Sequence, residues 1–397
     1  MYFNFVEASL SDGLCAPCAK SYNPPLFSAT ESAMHSPAYL SQLNDKTVFL
    51  RRLFADVPMP EWRVYPSPER HYRMRAEFRI WHDGGNISYA MFEHGKKAGG
   101  ASVIRITEFP AASASINRLM PELLTAVCAE PVLKNRLYQC EFLSTLSGDI
   151  LVTLIYHRKL DEAWQTAAEA LQNRLGIALI GRSKGQKNVL SRDFVTESLD
   201  VGGQTYRYRQ PEGAFSQPNA AVCRDMLEWA CAAADGLGGD LLELYCGNGN
   251  FTLPLARRFG RVLATEVSKT SVQAAQWNIA VNGADNIRIA RLSAEEFTEA
   301  YTGAREFRRL NEQNITLADY RFSTVFVDPP RAGIDDATLA LLQGFDNIIY
   351  ISCNPETLRA NLDTLIKTHD VAAAAMFDQF PFTHHIESGL LLKKRTV

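Results

Sequence analysis

From about residue 201 onward, short apolar stretches alternate with helical ones, and few folds accept that order. Asp240–Cys246, Arg261–Glu266, Ile287–Arg291, Thr324–Asp328 and Asn347–Cys353 each read as a buried strand, with room between them for crossover helices. The alternation predicts an α/β class, a Rossmann-like parallel sheet over residues 201–397. Residues 37–200 read differently, as a smaller β-rich α+β domain. Arg75–Trp81 alternates, with Ala76, Phe78 and Ile80 on one face and Arg75, Glu77 and Arg79 on the other. Asp83-Gly84-Gly85-Asn86 supplies a turn, and Tyr138–Leu146 pairs with Ile150–Tyr156 around Ser147-Gly148-Asp149. Ala112–Ala129 and Asp161–Leu175 are expected helices, the second closed by Gly176. An amphipathic helix over 38–54 precedes them, with Leu40, Leu43, Val48, Leu50, Leu53 and Phe54 as its apolar positions. Residues 1–36 carry turn formers and no periodicity, so a disordered leader is expected, with Met34 as an alternative start.

Composition excludes several classes. A net charge of −3 does not suit wholesale non-specific nucleic-acid binding. No apolar run approaches the roughly 20 residues that span a bilayer, and the N-terminus has no secretory pattern, so a cytoplasmic protein is expected. Of the eight cysteines only Cys15 and Cys18 form a CxxC pair, so neither a metal site nor an iron–sulfur cluster is expected.

Two places carry chemistry. Asp240–Phe251 reads DLLELYCGNGNF, a strand running into Gly247-Asn248-Gly249-Asn250 and then into a helix near Phe251. Glycines there let a backbone turn approach a ligand closely. Glu266 ends the next strand, where an acidic side chain accepts ribose hydroxyls. The turn lacks the third glycine of a dinucleotide fingerprint and no GKS or GKT follows, which favours S-adenosyl-L-methionine over a nicotinamide cofactor and excludes an ATP P-loop. The second place is the pair of strands ending TVFVDPPR and NIIYISCNPE, which put Asp328 and Cys353 where open α/β sheets bind ligands. Asn354-Pro355 is an N-cap followed by a first-turn proline. A thiol beside a helix N-terminus is expected to have a lowered pKa. Glu387 opens the last apolar strand and is the candidate proton acceptor. Neighbouring His384 and His385 are expected to point to opposite sides of an extended chain, one lining the pocket and the other on the surface.

Six segments in order, HYRMRAEFRIW, FSQPNA, LLELYCGNGNF, FVDPPR, YISCNPETL and FDQFPFTHHIE, resemble the tRNA (uracil-5-)-methyltransferases. The likeness runs from about residue 38 to the C-terminus. It implies methyl transfer from S-adenosyl-L-methionine to carbon 5 of the T-loop uridine of tRNA, with the T-loop of tmRNA as a further substrate. By the same resemblance Cys353 is the nucleophile, adding to carbon 6, and Glu387 removes the carbon-5 proton. It assigns cofactor contacts to Gln217, Tyr245, Asn250, Glu266 and Asp328, the first three of which spacing alone does not single out. Related enzymes of ribosomal RNA carry an N-terminal β-barrel and a four-cysteine iron–sulfur motif, both missing here. RNA cytosine-5 methyltransferases place a cysteine after the proline of the DPP-like segment, and Asp328-Pro329-Pro330-Arg331 has none. A ribosomal-RNA enzyme, or a non-catalytic tRNA-folding helper on the same scaffold, are the remaining rivals. Arg73, Arg75 and Arg79 share one strand face and suit phosphates, while Tyr138 and Gln139 suit an unpaired base. No membrane and no obligate protein partner is called for.

Overall fold

The structure is a computed structural model that describes residues 35–93 and 102–396. Cys15, Cys18, Met34 and nearly all of the expected leader lie outside the described residues. The chain forms two compact units. One comprises Arg73–Ser144 and Ile150–Asp193; the other comprises Pro37–Tyr72, Thr145–Asp149 and Phe194–Val397. The helix Pro37–Leu53 folds with the second unit rather than the first.

The first unit is a seven-stranded sheet. Its order is Val103–Ile106, Asn86–Phe92, Arg75–Asp83, Leu137–Ser144, Ile150–Tyr156, Ala178–Ser183, Gln186–Val189. The alternation expected of Arg75–Trp81 holds: Ala76, Phe78 and Ile80 are buried and Arg75, Glu77 and Arg79 half-buried. Asp83 pairs with Asn86 across Gly84-Gly85, whose φ values of 54° and 88° are open to glycine at little steric cost. Helices Ala114–Ala129 and Glu162–Leu175 supply Ile116, Met120, Leu123, Trp164 and Leu171 to the core over this sheet. Asp161 caps the second helix and Gly176 ends it in the left-handed region. Phe78, Phe142 and Tyr89 form an aromatic cluster in that core, and burying each ring contributes about 1.5–3 kcal/mol.

The second unit is an eight-stranded sheet in the order Trp62–Tyr65, His369–Phe377, Glu387–Lys394, Asn347–Ser352, Phe322–Val327, Asp240–Leu244, Val262–Thr265, Ile287–Ala290. All neighbours are parallel except Glu387–Lys394, which runs antiparallel to both of its partners. The strand order reverses direction about Asp240–Leu244, which makes a crevice at the carboxyl ends of that strand and of Phe322–Val327. The helix Pro37–Leu53 buries Tyr39, Leu43, Lys46, Thr47 and Leu50, whereas Leu40, Val48 and Leu53 are only half-buried. Its inward stripe is rotated from the expected one because Lys46 lies on it. That lysine is tolerated because its ammonium meets the fully buried Asp378 at 2.6 Å and the Phe380 carbonyl at 3.0 Å.

Candidate active site at the carboxyl edge of the sheet

Four of the expected residues are the first residue beyond a strand: Tyr245 after Leu244, Glu266 after Thr265, Asp328 after Val327 and Cys353 after Ser352. Because these strands are parallel, their ends lie on one edge of the sheet. Glu387 reaches the same edge from the other direction, as the first residue of the antiparallel strand. Its neighbour Ser388 is the register partner of Ser352, which sets the Glu387 carboxyl beside the Cys353 thiol.

The glycine turn has the form a bound nucleoside requires. Gly247 and Gly249 have φ of 56° and 81°, and a β-carbon on Gly247 would meet no atom within 4 Å, so the turn's face is open. Tyr245 holds φ of 64° without being glycine, a strained conformation kept where the strand enters the turn. The Glu266 carboxylate accepts the Gly247 N–H at 3.0 Å through one oxygen and the Ser268 N–H at 2.7 Å through the other. Each oxygen keeps a further lone pair for a ribose hydroxyl. Asn250 is turned by Cys223, its amide donating to the thiol at 3.3 Å. The helix expected near Phe251 does start there but is short, Thr252–Leu255 followed by a single 3-10 turn.

Acidic groups dominate the crevice. Burial pushes the Asp328 carboxyl up to about 7. The Glu387 carboxyl is held well above the usual carboxylate range, by burial first and then by the Asp328 charge, with Arg331 opposing. One Glu387 oxygen and one Glu243 oxygen are buried with no hydrogen-bond partner among the described residues. A set of carboxylates short of positive partners suits a ligand that carries an ammonium and a sulfonium, as S-adenosyl-L-methionine does.

Burial, together with the same carboxylates, overturns the expectation of an acidic thiol. Asn354 does cap the helix Pro355–Leu365, accepting from the Glu356 and Thr357 N–H groups. The Cys353 thiol is nonetheless pushed up to about 12, by burial first, then by the Glu387 and Asp328 charges; Arg331 pulls it down. Burial, with two nearby carboxyls adding, outweighs the fractional charge of a helix terminus. The histidine pair also departs from expectation. Residues 384 and 385 lie in an irregular turn rather than an extended strand, so their rings come within 4.4 Å of each other. His384 is exposed, and the His385 Nδ1 accepts from Arg331 at 2.7 Å.

Glu243 gives a pH test of this acid cluster. Burial, with Asp328 adding, pushes its carboxyl up to about 8 from an ordinary 4.5. Above pH 4.5 the folded protein therefore keeps a proton that the unfolded chain has released. The stability this provides is complete below that pH and is lost as pH rises towards 8. Glu243→Gln is expected to flatten the fall in Tm between about pH 5 and pH 8, as measured by thermal unfolding across that range. An unchanged slope in the variant would assign the loss to other groups.

The residues expected to meet RNA lie in the first unit. Arg79 sits over the Tyr138 ring at 3.5 Å, and His157 stacks on that ring at 3.8 Å. Both faces of Tyr138 are thus occupied, so the aromatic surface on offer is a pile of three side chains. The Gln139 amide donates to Glu141 at 2.8 Å and Glu77 at 3.3 Å. Arg73 donates from its Nε to the Arg75 carbonyl at 2.8 Å.

Sequence reasoning gave no role to three residues that the geometry brings forward. Arg331 is a positive group acting on both Cys353 and Glu387; being the only basic residue of TVFVDPPR was its one signal. Phe215, two residues before Gln217, is 60% exposed although aromatic. Gln379 lies in FDQFPFTHHIE, but nothing in that segment gave it a role of its own.

The sequence profile of the tRNA (uracil-5-)-methyltransferases matches residues 38–395. A tRNA/tmRNA (uracil-C(5))-methyltransferase of Neisseria meningitidis serogroup A is 69% identical over 357 residues, covering 90% of this chain and 99% of that protein. One from Acinetobacter baylyi is 58% identical over 358 residues, with the same shares. The fold is similar to that of the Pyrococcus abyssi tRNA (uracil-54, C5)-methyltransferase solved with S-adenosyl-L-homocysteine. That likeness has a TM-score of 0.67 at 20% identity, over 89% of this chain and 83% of that one. Matched over nine-tenths of its length, this chain belongs to the tRNA (uracil-5-)-methyltransferase family.

Proposed function

We propose that this protein methylates carbon 5 of the T-loop uridine of tRNA, and of the T-loop of tmRNA, in the cytoplasm, through a covalent adduct on Cys353. The observation that carries this reading is the placement of Cys353 and Glu387 on neighbouring strand ends, beside Asp328. S-adenosyl-L-methionine, held by Gln217, Tyr245, Asn250, Glu266 and Asp328, supplies an electrophilic methyl group and a positive charge.

The chain's own residues do the rest. Carbon 5 of uracil is a weak nucleophile. The Cys353 thiol releases its proton to solvent, the thiolate adds to carbon 6, and the electron pair of the C5–C6 double bond moves onto carbon 5 and O4. Arg331 favours the thiolate that this step needs. Once carbon 5 carries both a methyl group and a hydrogen, the Glu387 carboxylate takes the proton. The electron pair left behind re-forms the double bond as the C6–S bond breaks, which returns the thiolate. A base held well above the usual carboxylate range binds that proton more strongly than a free glutamate would. The target base must leave its stack to reach a half-buried thiol.

The test is incubation with methyl-labelled S-adenosyl-L-methionine and unmodified tRNA transcript, followed by nucleoside analysis and mapping. Label in 5-methyluridine within the T-loop is expected, with comparable labelling of an isolated T-arm hairpin. Label in 5-methylcytidine, or nowhere, would overturn the reading.

A further inference from the structure

A run of buried amides leads from the core of the second unit to the edge of the cofactor crevice. Gln379 is 1% exposed and Asn219 0% exposed. Asn219 caps the helix Ala220–Ala234, its side-chain oxygen accepting the Val222 N–H at 3.2 Å. The Asn219 amide nitrogen donates to the Ser67 hydroxyl at 2.7 Å and to the Gln379 carbonyl at 3.4 Å. Its backbone N–H donates to the Gln379 side-chain oxygen at 3.2 Å.

That last bond sets the direction of everything beyond it. A backbone N–H can only donate, so Gln379 must turn its Oε1 towards Asn219. Its Nε2 then faces the other way, towards the Gln217 Oε1 at 3.3 Å and the Met226 sulfur at 3.0 Å. Gln217, accepting through its oxygen, must present its own Nε2 to the crevice. There it donates to the Asp328 Oδ2 at 3.5 Å. With Gln379 in place, an amide that would otherwise flip freely has one orientation, its donor directed at Asp328.

We infer that Gln379 is a positioning residue, which acts through Gln217 to aim a fixed N–H donor at Asp328 and the cofactor. This rests on the reading of Gln217 and Asp328 as cofactor contacts. A side chain already held in its bound geometry loses less freedom on binding, so the orientation contributes to affinity for the cofactor. Tyr39 and Lys46 reinforce the arrangement from the N-terminal helix. The Tyr39 hydroxyl accepts the Ser67 N–H at 2.7 Å, and Lys46 holds Asp378, next to Gln379.

The experiment is a double-mutant cycle with Gln217→Met and Gln379→Met, read by calorimetric titration with S-adenosyl-L-homocysteine. Methionine keeps the length of glutamine and removes its amide. Gln379→Met is expected to weaken binding roughly three- to tenfold, the range of one buried neutral hydrogen bond. Affinity for tRNA should be unchanged. In the Gln217→Met background the same substitution should cost nothing further, because its only route to the ligand is already removed. Additive losses, or unchanged affinity in Gln379→Met while Gln217→Met binds weakly, would overturn the inference. If instead Gln217→Met itself binds normally, the assignment of Gln217 to the cofactor is what fails, and the inference falls with it. Should Gln379→Met not fold, Gln379→Asn keeps an amide for Asn219 but is too short for Gln217, and it carries the same cycle.

Discussion

Replacing Cys353 by alanine is expected to lower methyl transfer to tRNA by about 10⁴-fold or more, equivalent to about 5.4 kcal/mol of lost transition-state stabilisation. The size follows from the chemistry: without addition at carbon 6, carbon 5 has no enolate character and nothing else in the crevice supplies it. The substitution removes one small, half-buried side chain at a strand end, so the fold should survive it. Binding of S-adenosyl-L-homocysteine should also survive, because the glycine turn and Glu266 lie on other strands. Single-turnover methylation, with calorimetry on the same sample, separates these effects. Near-normal methylation by the alanine variant would mean that the thiol is structural.

Glu387→Gln is expected to give a different failure. The amide keeps the size of the side chain and cannot take a proton. Addition and methylation should still proceed, whereas release should slow by about 10²–10⁴-fold, the usual contribution of a positioned base. The signature is a burst of up to one methyl group per enzyme, followed by almost no turnover, with protein and RNA still joined after denaturation. Because the Glu387 carboxyl is buried with its ionisation disfavoured, a neutral amide there should cost the fold little. Loss of the burst would place Glu387 before methyl transfer, and sustained turnover would remove it as the base.

The features legible in the sequence were those set by local rules. Five strands, the glycine turn, the capped helix after Cys353 and the half-buried strand Arg75–Trp81 each have a pattern that neighbouring residues impose. Cys353 and Asp328 were legible as residues that follow strands, because a strand end in a parallel sheet has one address. What escaped was set by partners distant in the chain. Lys46 looks like a surface residue until Asp378, 332 positions away, is beside it. The thiol of Cys353 looks acidic from its helix, but burial pushes it up, and two carboxyls from other strands add to that. The helix Pro37–Leu53 precedes the smaller unit in sequence but packs with the larger one, and nothing in its own residues says so. Gln379 was invisible for the same reason, since its role lies wholly in Asn219 and Gln217.

The claim that uracil is attacked by Cys353 has one direct measurement. With 5-fluorouridine in the T-loop, carbon 5 holds fluorine where Glu387 would take a proton, so the adduct cannot be resolved. The complex is formed with S-adenosyl-L-methionine, digested with protease and nuclease, and the joined fragment sequenced by mass spectrometry. A methylated fluorouridine attached to the sulfur of Cys353 is the predicted result. A nucleotide on another cysteine, or 5-methylation of normal uridine tRNA with no adduct to fluorouridine tRNA, would contradict the account.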